Sequence, residues 1–127
     1  MSVKPMRDHH QPLHQPQGHA IGFADDAESC EAIVEGLDSA GFDESKIVVF
    51  SGDDGIHLLK RMMEGLWGES AQKFLERGVA ELEKGHSAVC VEVTDHHQAM
   101  KAATLAGQFG GHSFDHFGVF VDTQLTP

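Results

Sequence analysis

Between His19 and Gly52 the chain, HAIGFADDAESCEAIVEGLDSAGFDESKIVVFSG, changes its hydrophobic period twice, and that change limits the folds open to it. A short apolar run, His19 to Ala24, predicts a strand. Asp25 and Asp26 then supply an N-cap, and Asp25 with Glu28 has capping-box spacing. In the helix that follows, Ala27, Cys30, Ile33, Val34, Leu37 and Ala40 share one face, while Glu28, Glu31, Glu35 and Asp38 share the other. Gly41 suits the left-handed C-cap, and Phe42 can fold back as its apolar closure. The β-branched run Lys46 to Phe50 predicts a second strand, ended by the turn Ser51-Gly52-Asp53-Asp54-Gly55. Between Asp25 and Glu44 there are eight acidic residues and no basic one, so the outer helix face is an anionic, solvated surface.

The rest reads as a looser copy of this unit with a helical insertion before it. Ile56 to Gly68 has helical period, anchored by Ile56, Leu59, Met63 and Leu66 or Trp67. After Ser70, the residues Ala71, Phe74, Leu75, Gly78, Val79 and Leu82 form a second stripe, closed by Gly85. Arg77 and Glu81 have the spacing of an i,i+4 pair. Ser87 to Val93 alternates as a third strand, and Thr94 or Asp95 caps a helix from His96 to Phe109 with a face of small residues. Asp115 to Asp122 is the expected last strand. The order implies an α+β fold: a ferredoxin-like two-layer sandwich, its four-stranded antiparallel sheet interrupted between strands two and three by a helical insertion at about 56–84. Residues 1–18, rich in His, Pro and Gln, read as a flexible tail, and 19–127 as a single domain.

In this arrangement Ile21, Phe23, Val89, Val91, Val93, Phe117, Val119 and Val121 are the candidates for the helix-covered sheet face. The other face then carries Ala20, Gly22, Ala24, Ala88, Cys90, Glu92, His116, Gly118 and Phe120. A solvated face normally shows Lys, Glu and Thr. Residues this small and uncharged predict a cover, either a second subunit's sheet or the insertion itself.

The opening IGFADDAESCEAIVEGLDSAGFDESKIVVFSG, the stretch SAQKFLERGVAELEKGHSAVCVEV, and the closing helix after Thr94-Asp95 resemble the bacterial general-stress, heat-induced domain typified by YflT-like proteins. The likeness spans about residues 19 to 122. It implies a small α+β domain linked to stress and offers no catalytic residue to carry over.

Nine Lys and Arg against 20 Asp and Glu give the 127 residues a formal charge of -11, which repels phosphate backbones and anionic lipid. No apolar run reaches the about 18 residues of a membrane span. Cys30 and Cys90 lack CxxC spacing and read as small buried hydrophobes in a reduced cytoplasm.

Histidine is the compositional outlier, with ten residues. His9, His10 and His14 belong to the tail, and such tracts bind metal adventitiously. Within the domain, His112, His116 and Glu92 form the candidate set for a divalent or transition metal, with His96 able to meet Glu92 or His112 across a loop. A ligand or interface surface is expected at Ala20, Gly22, Ala24, Cys90, Glu92, Phe120 and Trp67, with Phe120, Cys90 and Trp67 as a pocket lining. No carboxylate pair is spaced for acid–base chemistry, so no catalytic residue is assigned. The expected function is a non-enzymatic, stress-associated binding or interaction domain that self-associates as a homodimer. The alternative is a small metal-binding protein or enzyme with a His/Glu site.

Overall fold

The computed structural model describes residues 16–66, 68–118 and 122–126. The elements run β1 (His19–Ala24), α1 (Ala27–Ser39), β2 (Ile47–Ser51), α2 (Gly52–Met63), α3 (Glu69–Glu83), β3 (Ser87–Glu92), α4 (His96–Gln108), β4 (His112–Phe117) and β5 (Asp122–Gln124). All pairings are antiparallel, in the order β2-β3-β1-β4-β5. The protein is therefore α+β, with one more strand than the sequence predicts. The expected last strand begins earlier, at His112, and β5 returns to pair with its end. Val119, Phe120 and Val121, which were assigned to that strand, lie outside the described residues, as do residues 1–15 of the expected tail.

Helix ends follow the sequence closely, with two shifts: α2 starts at Gly52, inside the expected Ser51–Gly55 turn, and ends at Met63 rather than Gly68, and the cap of α1 moves by one residue. The cap of α1 is Asp26, whose Oδ1 accepts from the Ser29 backbone N–H at 2.8 Å. Asp25, one residue earlier, is not the cap, and its side chain is left for another use. At the far end, the Phe42 N–H donates to Leu37 O at 2.9 Å across Gly41, whose φ is +101°, and Phe42 and Leu37 are both buried. This is the Schellman closure with its usual apolar contact. On α4, Asp95 Oδ1 accepts from the Gln98 N–H at 2.8 Å, as the spacing implies.

Both faces of the sheet are covered, each by its own helical pair. On one side Ala20, Ala24, Ile47, Val49, Val89, Val91 and Phe114 pack with α1 and with the alanine face of α4. On the other, Ile21, Phe23, Phe50, Ala88, Cys90 and Phe117 pack with α2 and α3. The sheet with α1 and α4 makes a two-layer sandwich, and the inserted α2–α3 pair forms the cover on its second face. Phe74 of α3 is the central contact there, 5.7 Å from Phe23 and 5.0 Å edge-on from Phe117 between ring centres.

The expected division of the faces needs correction. β1 pairs with β3 so that Ile21 opposes Cys90 and Phe23 opposes Ala88, while Ala20 opposes Val91. Ile21 and Phe23 therefore share a face with Ala88 and Cys90, and the valines share one with Ala20 and Ala24. Alternation fixes which residues of one strand lie together, but the register between strands decides which strands' sets coincide. The small residues of β1 suit close approach of α4's alanines rather than an open surface.

Candidate functional site

Three local devices bring polar side chains together where β1, β3 and β4 meet the end of α3. The first is the C-cap of α3. Gly85 takes φ +91°, and the His86 N–H donates to Glu81 O at 3.1 Å. This is the closure already seen at α1, but its side-chain pair is Glu81 and His86 in place of Leu37 and Phe42. His86 Nδ1 lies 2.6 Å from Glu81 Oε1.

The second device is a β-bulge in β4. Asp115 opposes Ile21 and His112 opposes Phe23, so Ser113 and Phe114 together face Gly22. Ser113 carries the left-handed φ of +60° that the extra residue requires. Phe114 packs directly against Gly22, where any Cβ would overlap its ring atoms. The bulge reverses the inward–outward parity of the strand. His112 turns to the α2–α3 side, while His116, opposite Ala20, points to the α1–α4 side.

The third is the β1–α1 turn, where capping by Asp26 leaves Asp25 pointing at β4. His112 Nε2 is 2.7 Å from Asp25 Oδ1 and 3.6 Å from Glu81 Oε1, and His86 Nδ1 is 3.3 Å from Asp25 Oδ1. One donor atom from each of Asp25, Glu81, His86 and His112 lies within 4.8 Å of the others. Glu81 forms the floor at 12% side-chain exposure and Asp25 the solvent side at 61%. Beneath the imidazole, His112 Nδ1 is 3.0 Å from Ser113 Oγ, which also accepts from Arg77 Nη1 at 3.4 Å. Arg77 and Glu81, expected to pair with each other, reach different partners in this chain of contacts.

Two imidazoles and two carboxylates form a nitrogen–oxygen donor set that suits zinc and neighbouring divalent ions. Tetrahedral coordination at about 2.0–2.1 Å places donors about 3.3–3.4 Å apart. The four histidine–carboxylate separations, 2.6 to 3.6 Å, bracket that value, and the other two lie within 4.8 Å. The two shortest are hydrogen-bond lengths that an entering ion would widen. With His112 coordinating through Nε2, its Nδ1 carries the proton and donates to Ser113 Oγ, the outer-shell contact that commonly fixes such a ligand.

The metal set expected from sequence does not assemble. Glu92 is exposed at the end of β3 opposite His19, on the same side as Ile21 and Cys90. His116 points to the other side, and His112 sits at the opposite end of β1. Of the three, only His112 enters the cluster. His116 instead meets His96 of α4, Nδ1 to Nδ1 at 3.1 Å with ring centres 5.3 Å apart. Burial holds the His116 imidazole below its ordinary pKa, the His96 charge acts in the same direction, and Asp95 opposes them.

The expected ligand or interface surface is also redistributed. Ala20, Ala24 and Cys90 are fully buried, and the space over Gly22 is filled by Phe114. They are core positions because the insertion and α4 occupy the two faces. Trp67 and Phe120 lie outside the described residues. Neither cysteine is activated. Burial pushes the Cys30 thiol up to about 11, with Glu31 adding to it, and burial raises Cys90 further.

Sequence reasoning missed Asp25 and Glu81 as site residues and gave His86 no partner. One signal was available. Once Gly85 is taken as the residue closing α3, Glu81 and His86 occupy the two positions whose side chains meet in a Schellman cap. The fold and this cluster define an α+β domain with a two-histidine, two-carboxylate site. No family model, curated protein or solved structure matches the chain.

Proposed function

We propose that the chain is a metal-binding domain that holds one divalent transition ion, of the zinc type, on His86, His112, Glu81 and Asp25. The observation that carries this is the convergence of four ligand-type donor atoms within 4.8 Å, drawn from three segments distant in sequence. Helix, turn and strand each use an irregularity or a cap to present them. The His86 and His112 rings stand edge-to-face with centres 6.4 Å apart, so their nitrogens approach one point from different directions.

The strand order β4-β1-β3-β2, with α1 and α4 on one face, supports a ferredoxin-like parent plan to which β5 and the α2–α3 pair are added. The general-stress resemblance supplies a setting for such a domain. Self-association was expected through an open sheet face or the insertion; both sheet faces are covered, by α1–α4 and by α2–α3, which leaves the outer side of the insertion for it. Among the described residues, the exposed large apolar side chains are Met100 and Phe109. No described helix is long and apolar enough to cross a membrane.

The test is a zinc titration by calorimetry on the full chain and on a chain carrying His9→Gln, His10→Gln and His14→Gln. One ion per chain, retained when the tail histidines are removed and lost in H86A/H112A, is the expected result. Binding that disappears with the tail histidines, or persists in H86A/H112A, would refute the proposal.

A further inference from the structure

The four donors come from parts of the fold that belong to different layers. Glu81 and His86 lie on α3 and its closing turn, within and just beyond the inserted helical pair. Asp25 follows β1, and His112 opens β4. Neither α1 nor α4 supplies a donor. An ion bound by all four must therefore bridge the insertion to the sheet. We infer that the ion acts as a staple, so that divalent-metal binding is converted into tighter docking of α2–α3 over the sheet face bearing Ile21, Phe23, Ala88 and Cys90. The inference rests on the metal-binding reading above and adds a consequence to it.

Packing and charge both point this way. The apolar grip of α3 is concentrated on one side, where Phe74 meets Phe23 and Phe117, and where Gly78 lets the helix approach Phe23 and Leu59 of α2 closely. Because α2 and α3 share that contact, they dock or loosen together. The flank of α3 toward β4 is held by polar contacts, Arg77 to Ser113 and Glu81 to His86 and His112. Coordination uses neutral imidazoles. In that state the cluster carries the two negative charges of Asp25 and Glu81, with Asp26 adjacent, on a chain whose formal charge is already -11. Two like charges at the α3–sheet junction oppose docking there, offset without metal by their contacts to His86 and His112, and a divalent cation would cancel them at contact distance.

Amide hydrogen exchange on the full chain, stripped with a chelator and then loaded with zinc, tests this directly. At about one hundred times the dissociation constant, amides that exchange only when the staple opens should slow by about 100-fold. We expect that slowing in 52–63 and 69–83, with 27–39 and 96–108 unchanged as internal controls. E81Q removes the donor within α3 and leaves His86 just beyond it, so at equal zinc concentration it should retain weaker zinc binding with reduced layer-specific slowing. Maleimide labelling gives a second readout: zinc should slow modification of Cys90, under α2–α3, and leave Cys30, on the buried face of α1, unaffected. Zinc binding with uniform protection of all four helices, or layer-specific protection undiminished in E81Q at equal zinc concentration, would overturn the staple while leaving metal binding intact. Absence of zinc binding in the calorimetric titration would overturn the metal reading and the staple together.

Discussion

His112 and His116, four residues apart on one strand, face opposite sides of the sheet, because Ser113 and Phe114 both stand against Gly22. A regular strand would put the two imidazoles on one face. The bulge assigns one to the carboxylates of Asp25 and Glu81 and the other to His96. The positions around it therefore control both stability and ligand geometry.

Gly22→Ala should be strongly destabilising, since the new methyl would enter the Phe114 ring. Overpacking of this kind typically costs about 1–3 kcal/mol. The loss should appear as a lower urea midpoint at unchanged slope. Phe114→Leu in the G22A background should recover part of it, and strict additivity of the two changes would count against the contact.

Ser113→Ala should keep the bulge and remove the group that orients His112. Loss of an outer-shell partner typically lowers metal affinity about 10- to 100-fold. Zinc competition against a chromophoric chelator measures this. Nitrogen-15 NMR provides a companion check. Free of metal, the nitrogens that face carboxylates are His112 Nε2 and His86 Nδ1, and these should be the protonated ones. With zinc bound, the protons should move to His112 Nδ1 and His86 Nε2. Unchanged tautomers on zinc addition would contradict the ligand assignment.

The neighbouring residues Asp25 and Asp26 should separate function from stability. Asp26 caps α1, and its carboxyl is held below the ordinary 3.8 by hydrogen bonds from Ser29. A depressed folded-state value contributes stability that is present above 3.8 and is lost as pH falls through the folded value. Asp26→Asn should flatten that acid limb, observed as unfolding midpoint against pH, while zinc affinity is retained. Asp25→Asn should weaken zinc binding with little effect on the midpoint. The reverse pattern would undo the division of roles.

His116 should give the protein a second pH dependence of opposite chemical origin. Its folded pKa lies below the ordinary 6.5, so the unfolded chain takes up a proton first as pH falls. Stability from this group is complete above 6.5 and declines as pH drops toward the folded value. His116→Phe should reduce the slope of unfolding free energy against pH in that interval, measured by urea titration at successive pH values. An undiminished slope would locate the effect elsewhere.

Helix positions were legible in the chain because caps and stripes are local. Asp95 with Gln98 and Gly41 with Phe42 behave as their spacings imply. The expectation that the insertion or a second subunit covers the small-residue face was half informative. The insertion covers a face, but that face carries Ile21 and Phe23, because the β1–β3 register is a property of two strands and leaves no mark on either. The cluster was hidden for the same reason. Asp25 looked like a cap, Glu81 like half of a surface pair, and His112 like a neighbour of His116. Only the shift of the cap to Asp26 and the extra residue at Ser113 reassign them, and neither follows from periodicity.

The most direct test is anomalous diffraction at the zinc edge from crystals of the full chain grown with zinc. The account predicts one strong peak about 2.0–2.2 Å from His86 Nδ1, His112 Nε2 and the carboxylate oxygens of Glu81 and Asp25. A peak between His96 and His116, or none at the four-residue cluster with zinc present in excess, would contradict it.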